Sequence, residues 1–296
     1  MSLSIMSQLL KVFNGRVGFI KPVGQQHVIE NGVKVDKDVS LFKRYFDLDT
    51  CDISHMSPVI IGNNYTRQYL DGEIQYEPQV ERIRECYNQI EKNHDFTVVE
   101  GTGHVGVGSI IGLSNPRVAK ILGLDMLLVV NGGIGKTIDK FEMNRAVCEQ
   151  EGVRIRGVVV NKVFPSKLDE VRYYMEKHLV SVGDGSIPLI GAIPLTDLLD
   201  RPSIAEVSNM FDSEVLSEKS RSLYHFESVN LVEVELTHFL NDLNTRDCEN
   251  TLFVTHSSRL DIILGFTSFA KAFLDNNGRH WRSGLVLCDN QYIDPN

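Results

Sequence analysis

Three charged residues stand beside predicted secondary structure in the first third of the chain. Lys21 comes directly after the predicted strand 16–20, and Glu100 directly after the apolar segment 96–99. Asp38 stands at the start of the helical stretch 39–46. A lysine can neutralise phosphate, and carboxylates hold Mg²⁺ together with its water ligands. We therefore predict a catalytic role for Lys21 and metal-binding roles for Asp38 and Glu100; the alternatives are a solvated lysine, a helix cap and an ordinary strand end.

Glycine-rich loops follow two of the predicted strands. The first loop follows Glu100, and we expect its Gly101 and Gly103 to offer backbone amides to a phosphate. The second loop, NGGIGKT at 131–137, does not have the spacing of a P-loop, because Val130 stands where that motif needs its first glycine. We predict a tight strand-to-helix turn at this second loop, where an anion can still meet the helix N-terminus.

An asparagine follows the predicted strand 155–160. Asn161-Lys162 is similar to the start of the base-reading NKxD motif of GTPases, but Phe164 occupies the position of its aspartate. An asparagine at a strand end can nevertheless recognise a nucleotide base through paired hydrogen bonds. The sequence leaves both a base-reading and a purely structural role open for Asn161.

The elements that must position these residues alternate between strand and helix. Short apolar runs predict buried strands, and amphipathic stretches such as 78–93, 138–151 and 167–178 predict helices. This alternation is typical of an α/β fold with a parallel sheet. In such sheets ligands bind beyond the carboxyl ends of the strands, which is where Glu100 and both glycine loops are predicted to lie.

Composition narrows the classes of function. The formal net charge of -9 argues against partners such as nucleic acid or an anionic membrane surface. No apolar run approaches the roughly 18 residues of a membrane span. The five cysteines are scattered and form no CxxC motif, which favours reduced thiols and a cytoplasmic location over a zinc site.

Several motifs together resemble the dethiobiotin synthetase-like domain of the P-loop NTPases, and especially the version that precedes long bacterial phosphate acetyltransferases. They are KPVG (21–24), Asp38, EGTGHVGVGS (100–109), SNPRVAKILG (114–123), GGIGKTID (132–139), GVVVNKV (157–163) and PLIGAIP (188–194). The resemblance covers residues 1–211. It implies ATP or another nucleotide with Mg²⁺, with Lys21 at phosphate, Asp38 and Glu100 at the metal, and Asn161 with Pro194 at adenine.

The C-terminal part is similar to the DRTGG module of the same acetyltransferases. The similarity lies in THSSRLDIILGF (255–266) and SGLVLCDN (283–290), where Asp289 and Asn290 replace the closing glycines of the module. We therefore expect a nucleotide-binding domain at 1–211, a linker at 212–228 and a DRTGG-like α/β module at 229–296.

The resemblance also indicates a difference at the start of the chain. Members of the family begin with a strand and a Walker A loop, and the helix predicted over residues 2–13 corresponds to the segment after them. We expect both features to be absent from this sequence, either because the chain is clipped or because it is a degenerate member. The strand normally lies in the middle of the sheet, so its loss would leave a gap.

Two functions follow from these expectations. The first is a nucleotide-binding or regulatory protein without full ATPase activity, working as a homo-oligomer or with an acetyltransferase-type partner. The second is an ATP- and Mg-dependent ligase of the dethiobiotin synthetase or cobyrinate amidation type. The missing Walker lysine weighs against the second, because that lysine stabilises the transferring phosphoryl group. A folded remnant that binds nothing is the third reading.

Overall fold

The chain forms two compact units, residues 1–195 and residues 196–296. The computed structural model describes residues 2–183, 186–196, 201–216, 221–246 and 248–289. The first unit ends earlier than the boundary expected at residue 211, so residues 196–211 are grouped with the second unit. The expected linker at 212–228 lies partly outside the described residues, and Asn290 lies wholly outside them. The roles assigned to the domains stay predictions.

The first unit alternates between helices and strands, as expected for an α/β protein. Its helices are α1 (Ser2–Val12), α2 (Lys37–Tyr45), α3 (Ile53–Met56), α4 (Tyr65–Leu70), α5 (Tyr76–Glu91), α6 (Asn115–Leu122), α7 (Gly135–Glu151) and α8 (Leu168–Gly183). Its strands are β1 (Val17–Ile20), β2 (Val23–Gly24), β3 (His27–Glu30), β4 (Val33–Asp36), β5 (Val59–Ile60), β6 (Phe96–Val99), β7 (Met126–Asn131), β8 (Ile155–Val163) and β9 (Leu189–Pro194).

The parallel strands of the first unit form separate groups. β1 pairs with β6, and β7, β8 and β9 form a three-stranded parallel sheet in that order. The short strands β2 and β5 make a further parallel pair. The parallel pairing agrees with the sequence prediction. The strands do not form one continuous sheet, however, because no ladder hydrogen bonds join β6 to β7 among the described strands.

An antiparallel hairpin formed by β3 and β4 was not predicted. Its turn is made by Asn31 and Gly32, whose φ angles are 50° and 80°. Positive φ at both central residues is the requirement of a type I′ hairpin turn, and Asn-Gly is the dipeptide that meets it best. The alternation of apolar residues around Asn-Gly was therefore a usable signal for this hairpin.

Each group of strands has its own core in the first unit. Phe19 of β1 stacks on Phe42 of α2 with ring centroids 4.0 Å apart, in a cluster that also includes Met6 of α1. Val130 of β7 and Val160 of β8 pack with Phe141 of α7, which has no exposed surface. These cores fix the strands whose carboxyl ends carry the predicted site residues.

The second unit is a smaller parallel α/β arrangement. It contains α9 (Ile204–Phe211), β10 (Ser228–Leu231), α10 (Leu236–Thr245), β11 (Thr251–His256), α11 (Leu260–Asn277) and β12 (Gly284–Cys288). The strands are parallel in the order β10-β11-β12. Phe253 and Trp281 pack with helices α10 and α11 in one core. Helix α10 was not predicted from the sequence.

In the part of the chain that the structure describes, no helix is both long enough and apolar enough to cross a bilayer.

Candidate functional site

Lys21 lies at the carboxyl end of β1, and only 7% of its surface is exposed. Its backbone amide donates to the carbonyl oxygen of Met56 at 2.9 Å. Its Nζ donates to Asp36 Oδ1 at 3.0 Å and makes a second, shorter ion pair with Asp38. A buried ammonium requires such partners, since an unpaired buried charge is strongly unfavourable. Lys21 and Asp38 therefore lie together, as the sequence predicted for one site.

Asp36 is a member of this cluster that sequence reasoning did not select. Its side chain is 1% exposed and receives the backbone amides of Gln25 at 3.2 Å and Asp38 at 2.9 Å. It is the N-cap of α2, so its carboxylate also stabilises the start of that helix. A Cβ atom on Gly24 would lie 2.5 Å from Asp36 Oδ2, so only glycine fits there. The overlooked signal was the Asn-Gly hairpin, which returns the chain toward Lys21.

Glu100 lies at the carboxyl end of β6, beside β1. Its backbone amide donates to the carbonyl oxygen of Ile20 at 2.9 Å, which continues the β1–β6 ladder. Ser2, in the first turn of α1, acts on this carboxyl by lowering the pKa of Glu100, although burial outweighs that effect. Oε2 is buried and has no hydrogen-bond partner among the described residues. The N-terminal end of a helix attracts negative charge, so α1 contributes to holding this carboxylate.

The charges of the cluster act on one another. Burial alone would lower the pKa of Lys21, but its hydrogen bonds to Asp38 and Asp36 outweigh that effect and raise this pKa above its ordinary value. Burial, followed by repulsion from Asp38, raises the pKa of Glu100 above its ordinary value. Glu100 therefore gains from a cation that approaches its unpartnered oxygen.

The glycine loop after Glu100 is held by Asn115 at the start of α6. The Asn115 side chain accepts from the Thr102 amide and donates to the Thr102 carbonyl oxygen, both at 3.0 Å. A Cβ atom on Gly101 would lie 2.9 Å from Asn115 Cγ, and Gly103 has a φ of 58°. Both glycines are therefore required by the shape of the loop. Phosphate binding by their amides stays a prediction.

The predicted adenine residues lie at the carboxyl end of the other sheet. Asn161 of β8 is in register with Asn131 of β7, and Pro194 of β9 is in register with Val163 of β8. The second glycine loop lies beside them and leads from β7 into α7, which begins at Gly135. This is the strand-to-helix turn that the sequence predicted. The structure thus forms two groups, one around Lys21 and one around Asn161, and their predicted ligands stay untested.

The residues around Lys21 meet the requirements of a magnesium–nucleotide complex in part. No group of three or more histidine, cysteine, aspartate or glutamate side chains among the described residues has the geometry to hold a metal ion by itself. Mg²⁺ bound with a nucleotide, however, needs only one or two carboxylates, because phosphates and water complete its shell. The unpartnered oxygen of Glu100 and the half-exposed Asp38 can supply those carboxylates.

These features define the class of the protein as mixed α/β with parallel strands, consistent with a P-loop NTPase-like fold. The chain belongs to the AAA domain family, which it matches over residues 1–203. The family relationship inferred from the motifs is thereby confirmed at this level.

Individual relatives agree with that assignment. The chain is 25% identical over 287 residues to a phosphate acetyltransferase of Nitrosomonas europaea, which covers 95% of this chain and 38% of the relative. It is 27% identical over 194 residues to an ATP-dependent dethiobiotin synthetase of Methanocaldococcus jannaschii, covering 64% of this chain and 85% of the relative. A probable cobyric acid synthase of Methanococcus maripaludis is 28% identical over 167 residues, covering 50% of this chain and 33% of the relative.

The extent of these alignments distinguishes the relatives. The phosphate acetyltransferases match nearly the whole chain, including the second unit, yet this chain spans only 38%, 36% and 39% of the length of three of them.

Proposed function

We propose that this chain is a nucleotide-binding regulatory protein, related to the N-terminal control region of phosphate acetyltransferase. The observation that carries the proposal is the cluster of charges formed by Lys21, Asp36, Asp38 and Glu100. In this proposal Glu100 and Asp38 hold Mg²⁺ with its water ligands, and the Mg²⁺ offsets the charge of ATP or another nucleotide. Lys21 and the amides of the first glycine loop contact phosphate.

Lys21 differs from a solvent-exposed lysine whose ammonium is free to bind phosphate. Its ammonium is already paired with Asp36 and Asp38, so a phosphate must compete for it or share it. Asp38 is the exposed partner, with 47% of its side chain accessible, whereas the Asp36 side chain is 1% exposed. We infer that Asp38 turns toward Mg²⁺ when nucleotide binds and that Asp36 stays on Lys21.

The proposal includes the absence of a Walker A loop and its preceding strand from residues 1–296. Among the described strands, β6 pairs only with β1 and β7 pairs only with β8, although α6 connects β6 to β7. Each therefore has an edge on which a further strand can add. This arrangement supports a missing strand between them. Without the Walker lysine, residues 1–296 bind nucleotide but do not make a complete ATPase site.

The second unit has a supporting role in this proposal. We assign it as a DRTGG-like module, because the alignment with phosphate acetyltransferases continues through it while the dethiobiotin synthetase match covers only 64% of the chain. It would act as a self-association or partner-binding module, so that the protein works in the cytoplasm as a homo-oligomer or with an acetyltransferase-type partner.

A second function is favoured by the names of other relatives. The matches to an ATP-dependent dethiobiotin synthetase and to a probable cobyric acid synthase agree with an ATP- and Mg-dependent ligase of the dethiobiotin synthetase or cobyrinate amidation type. In this alternative the strand and P-loop belong to a longer form of the protein.

Two measurements distinguish these functions. They are calorimetric titration with ATP and ADP, with and without Mg²⁺, and an assay of phosphate released from ATP. Micromolar Mg²⁺-dependent binding without phosphate release supports the regulatory function. Phosphate release from ATP on adding dethiobiotin precursor or a cobyrinate substrate supports the ligase. No heat change with either nucleotide at millimolar concentration would reject both the regulatory function and the ligase function. The chain would then be a folded protein that binds no nucleotide.

A further inference from the structure

Two asparagine side chains lie next to each other at the carboxyl end of the β7–β8–β9 sheet. Asn131 and Asn161 are partners in the parallel register, directly after the pair Val130 and Val160. Those valines are 3% and 0% exposed and pack into the core with α7 and α8. Since successive residues of a strand point to opposite faces, Asn131 and Asn161 both point to the face away from that core.

The backbone of this asparagine pair is held in place. The carbonyl oxygen of Asn131 accepts from the Thr137 hydroxyl at 2.6 Å, and that of Asn161 accepts from the Gly132 amide at 2.7 Å. A Cβ atom on Gly132 would lie 2.7 Å from the Lys162 carbonyl oxygen, so the close approach requires glycine. The positions of the two asparagines are therefore set before any ligand binds.

The two side-chain amides themselves are unused. Among the described residues, no hydrogen bond involves the side-chain amide of Asn131 or of Asn161, and Asn131 is exposed. Each amide carries a donor and an acceptor on one planar group. The pair therefore offers two adjacent sets of donor and acceptor atoms on a hydrogen-bonded backbone.

The surface beside the pair is apolar and is exposed along β7, whereas Val159 of β8 is only 6% exposed. Val129 precedes Asn131 on the same face of β7, and 46% of its surface is exposed. The next strand across carries Val159, and beyond it Gly191 of β9 is in register. A Cβ atom on Gly191 would meet no atom within 4 Å, so that position leaves free space. An apolar surface bordered by two amides suits a flat heteroaromatic ring.

We propose that Asn131 acts with Asn161 to select adenine over guanine in the bound nucleotide. This inference rests on the proposed nucleotide-binding function and assigns Asn131 as a specificity-determining residue. An amide pairs with adenine through two hydrogen bonds, because the 6-amino group donates while the neighbouring ring nitrogen accepts. On the edge formed by the 6-amino group and N7, guanine presents two acceptors instead, so the oxygen of the amide finds no donor there.

The test is calorimetric titration of the full chain with Mg-ATP and, separately, with Mg-GTP. We expect wild type to bind ATP more tightly than GTP. Asn131→Ala should weaken ATP binding by roughly tenfold, in line with the value of one bidentate contact to a base, and should leave GTP binding within about twofold. Asn131→Asp keeps the size of the side chain but removes its donor, and should also lower the ATP-to-GTP preference. Asn88→Ala, an exposed asparagine on α5, is the matched control.

The outcomes separate this inference from the function on which it rests. If Asn131→Ala and Asn131→Asp keep the wild-type ATP-to-GTP ratio while Asn161→Ala lowers it, the role of Asn131 is wrong and nucleotide binding stands. Equal wild-type affinity for ATP and GTP also overturns the inference. If wild type binds neither nucleotide, the proposed function and this inference both fail. Urea unfolding midpoints equal to wild type establish that the variants are folded.

Discussion

Lys21 Nζ lies 3.0 Å from Asp36 Oδ1, although fifteen positions and a complete hairpin separate the two residues along the chain. Both side chains are almost fully buried, at 9% and 1% exposure. The pair joins the end of β1 to the start of α2. It therefore serves the fold and, through Lys21, also the proposed phosphate site.

Removing one member of this buried pair is expected to destabilise the protein. Asp36→Ala should lower the free energy of unfolding by about 3 kcal/mol, because it leaves a buried charge with less compensation and also removes the N-cap of α2. Asp38→Ala is the matched control; its half-exposed carboxylate should contribute about 1 kcal/mol or less. Urea unfolding measures both. Equal losses in the two variants would contradict the central place of Asp36.

Replacing Glu100 tests the magnesium site. If Mg-ATP binding is detected, Glu100→Gln should remove its dependence on Mg²⁺, because an amide oxygen is a weaker ligand than a carboxylate for a hard cation. Titration at several Mg²⁺ concentrations gives the measurement, with Glu77→Gln, exposed on α5, as control. An unchanged Mg²⁺ dependence in Glu100→Gln would exclude Glu100 from the site.

The same glutamate should make stability depend on pH. Because burial and Asp38 raise the pKa of Glu100 above 4.5, the folded chain binds its proton more tightly than the unfolded chain does. The stabilisation of the folded chain by protonated Glu100 is complete below pH 4.5. It is lost as the pH rises through the pKa of Glu100 in the folded state. Wild type should therefore lose unfolding free energy relative to Glu100→Gln as pH rises through this range without nucleotide. A constant difference between the two proteins would argue against the raised pKa.

Glu142 of α7 should have the opposite pH dependence. Its hydrogen bond with Arg145, assisted by His178 of α8, lowers the pKa of Glu142 below 4.5. The contribution of Glu142 to the free energy of unfolding is thus present above pH 4.5. It disappears as the pH falls through the lowered pKa of Glu142. Glu142→Gln should lower the free energy of unfolding, measured with urea, by about 1 kcal/mol near neutral pH and should leave it unchanged in strong acid. Glu149→Gln, on the same helix but 59% exposed, should cost less; a larger cost there would refute the assignment.

Thiol labelling checks the packing of both units. Cys51, Cys86, Cys148 and Cys248 are buried and Cys288 is exposed. Burial also raises the pKa of Cys148 to about 11, which keeps its thiolate scarce at neutral pH. We expect one thiol to react quickly with Ellman's reagent in the native protein and all five after unfolding. Cys288→Ser should abolish the fast phase; a fast phase that persists would mean that a core cysteine is accessible.

The sequence by itself determined the alternation of strands and helices in the first unit and the location of Lys21 and Glu100 at strand ends. Apolar runs and helical periodicity are local signals, so β6 and β7, and the turn before α7, followed from them. Glu100 was expected at the carboxyl edge of parallel strands, and it follows β6, which pairs in parallel with β1. The family motifs added the relationship that the match over residues 1–203 supports.

Only the tertiary structure decided which of these ends meet. Asp36 joins Lys21 because the unpredicted hairpin returns the chain, and Asn131 joins Asn161 because the register of β7 on β8 makes them partners. Register and burial depend on contacts between segments far apart in the chain, whereas periodicity reports only the near neighbours of each residue. The separation of β6 from β7 was likewise a property of strand pairing, which local patterns do not specify.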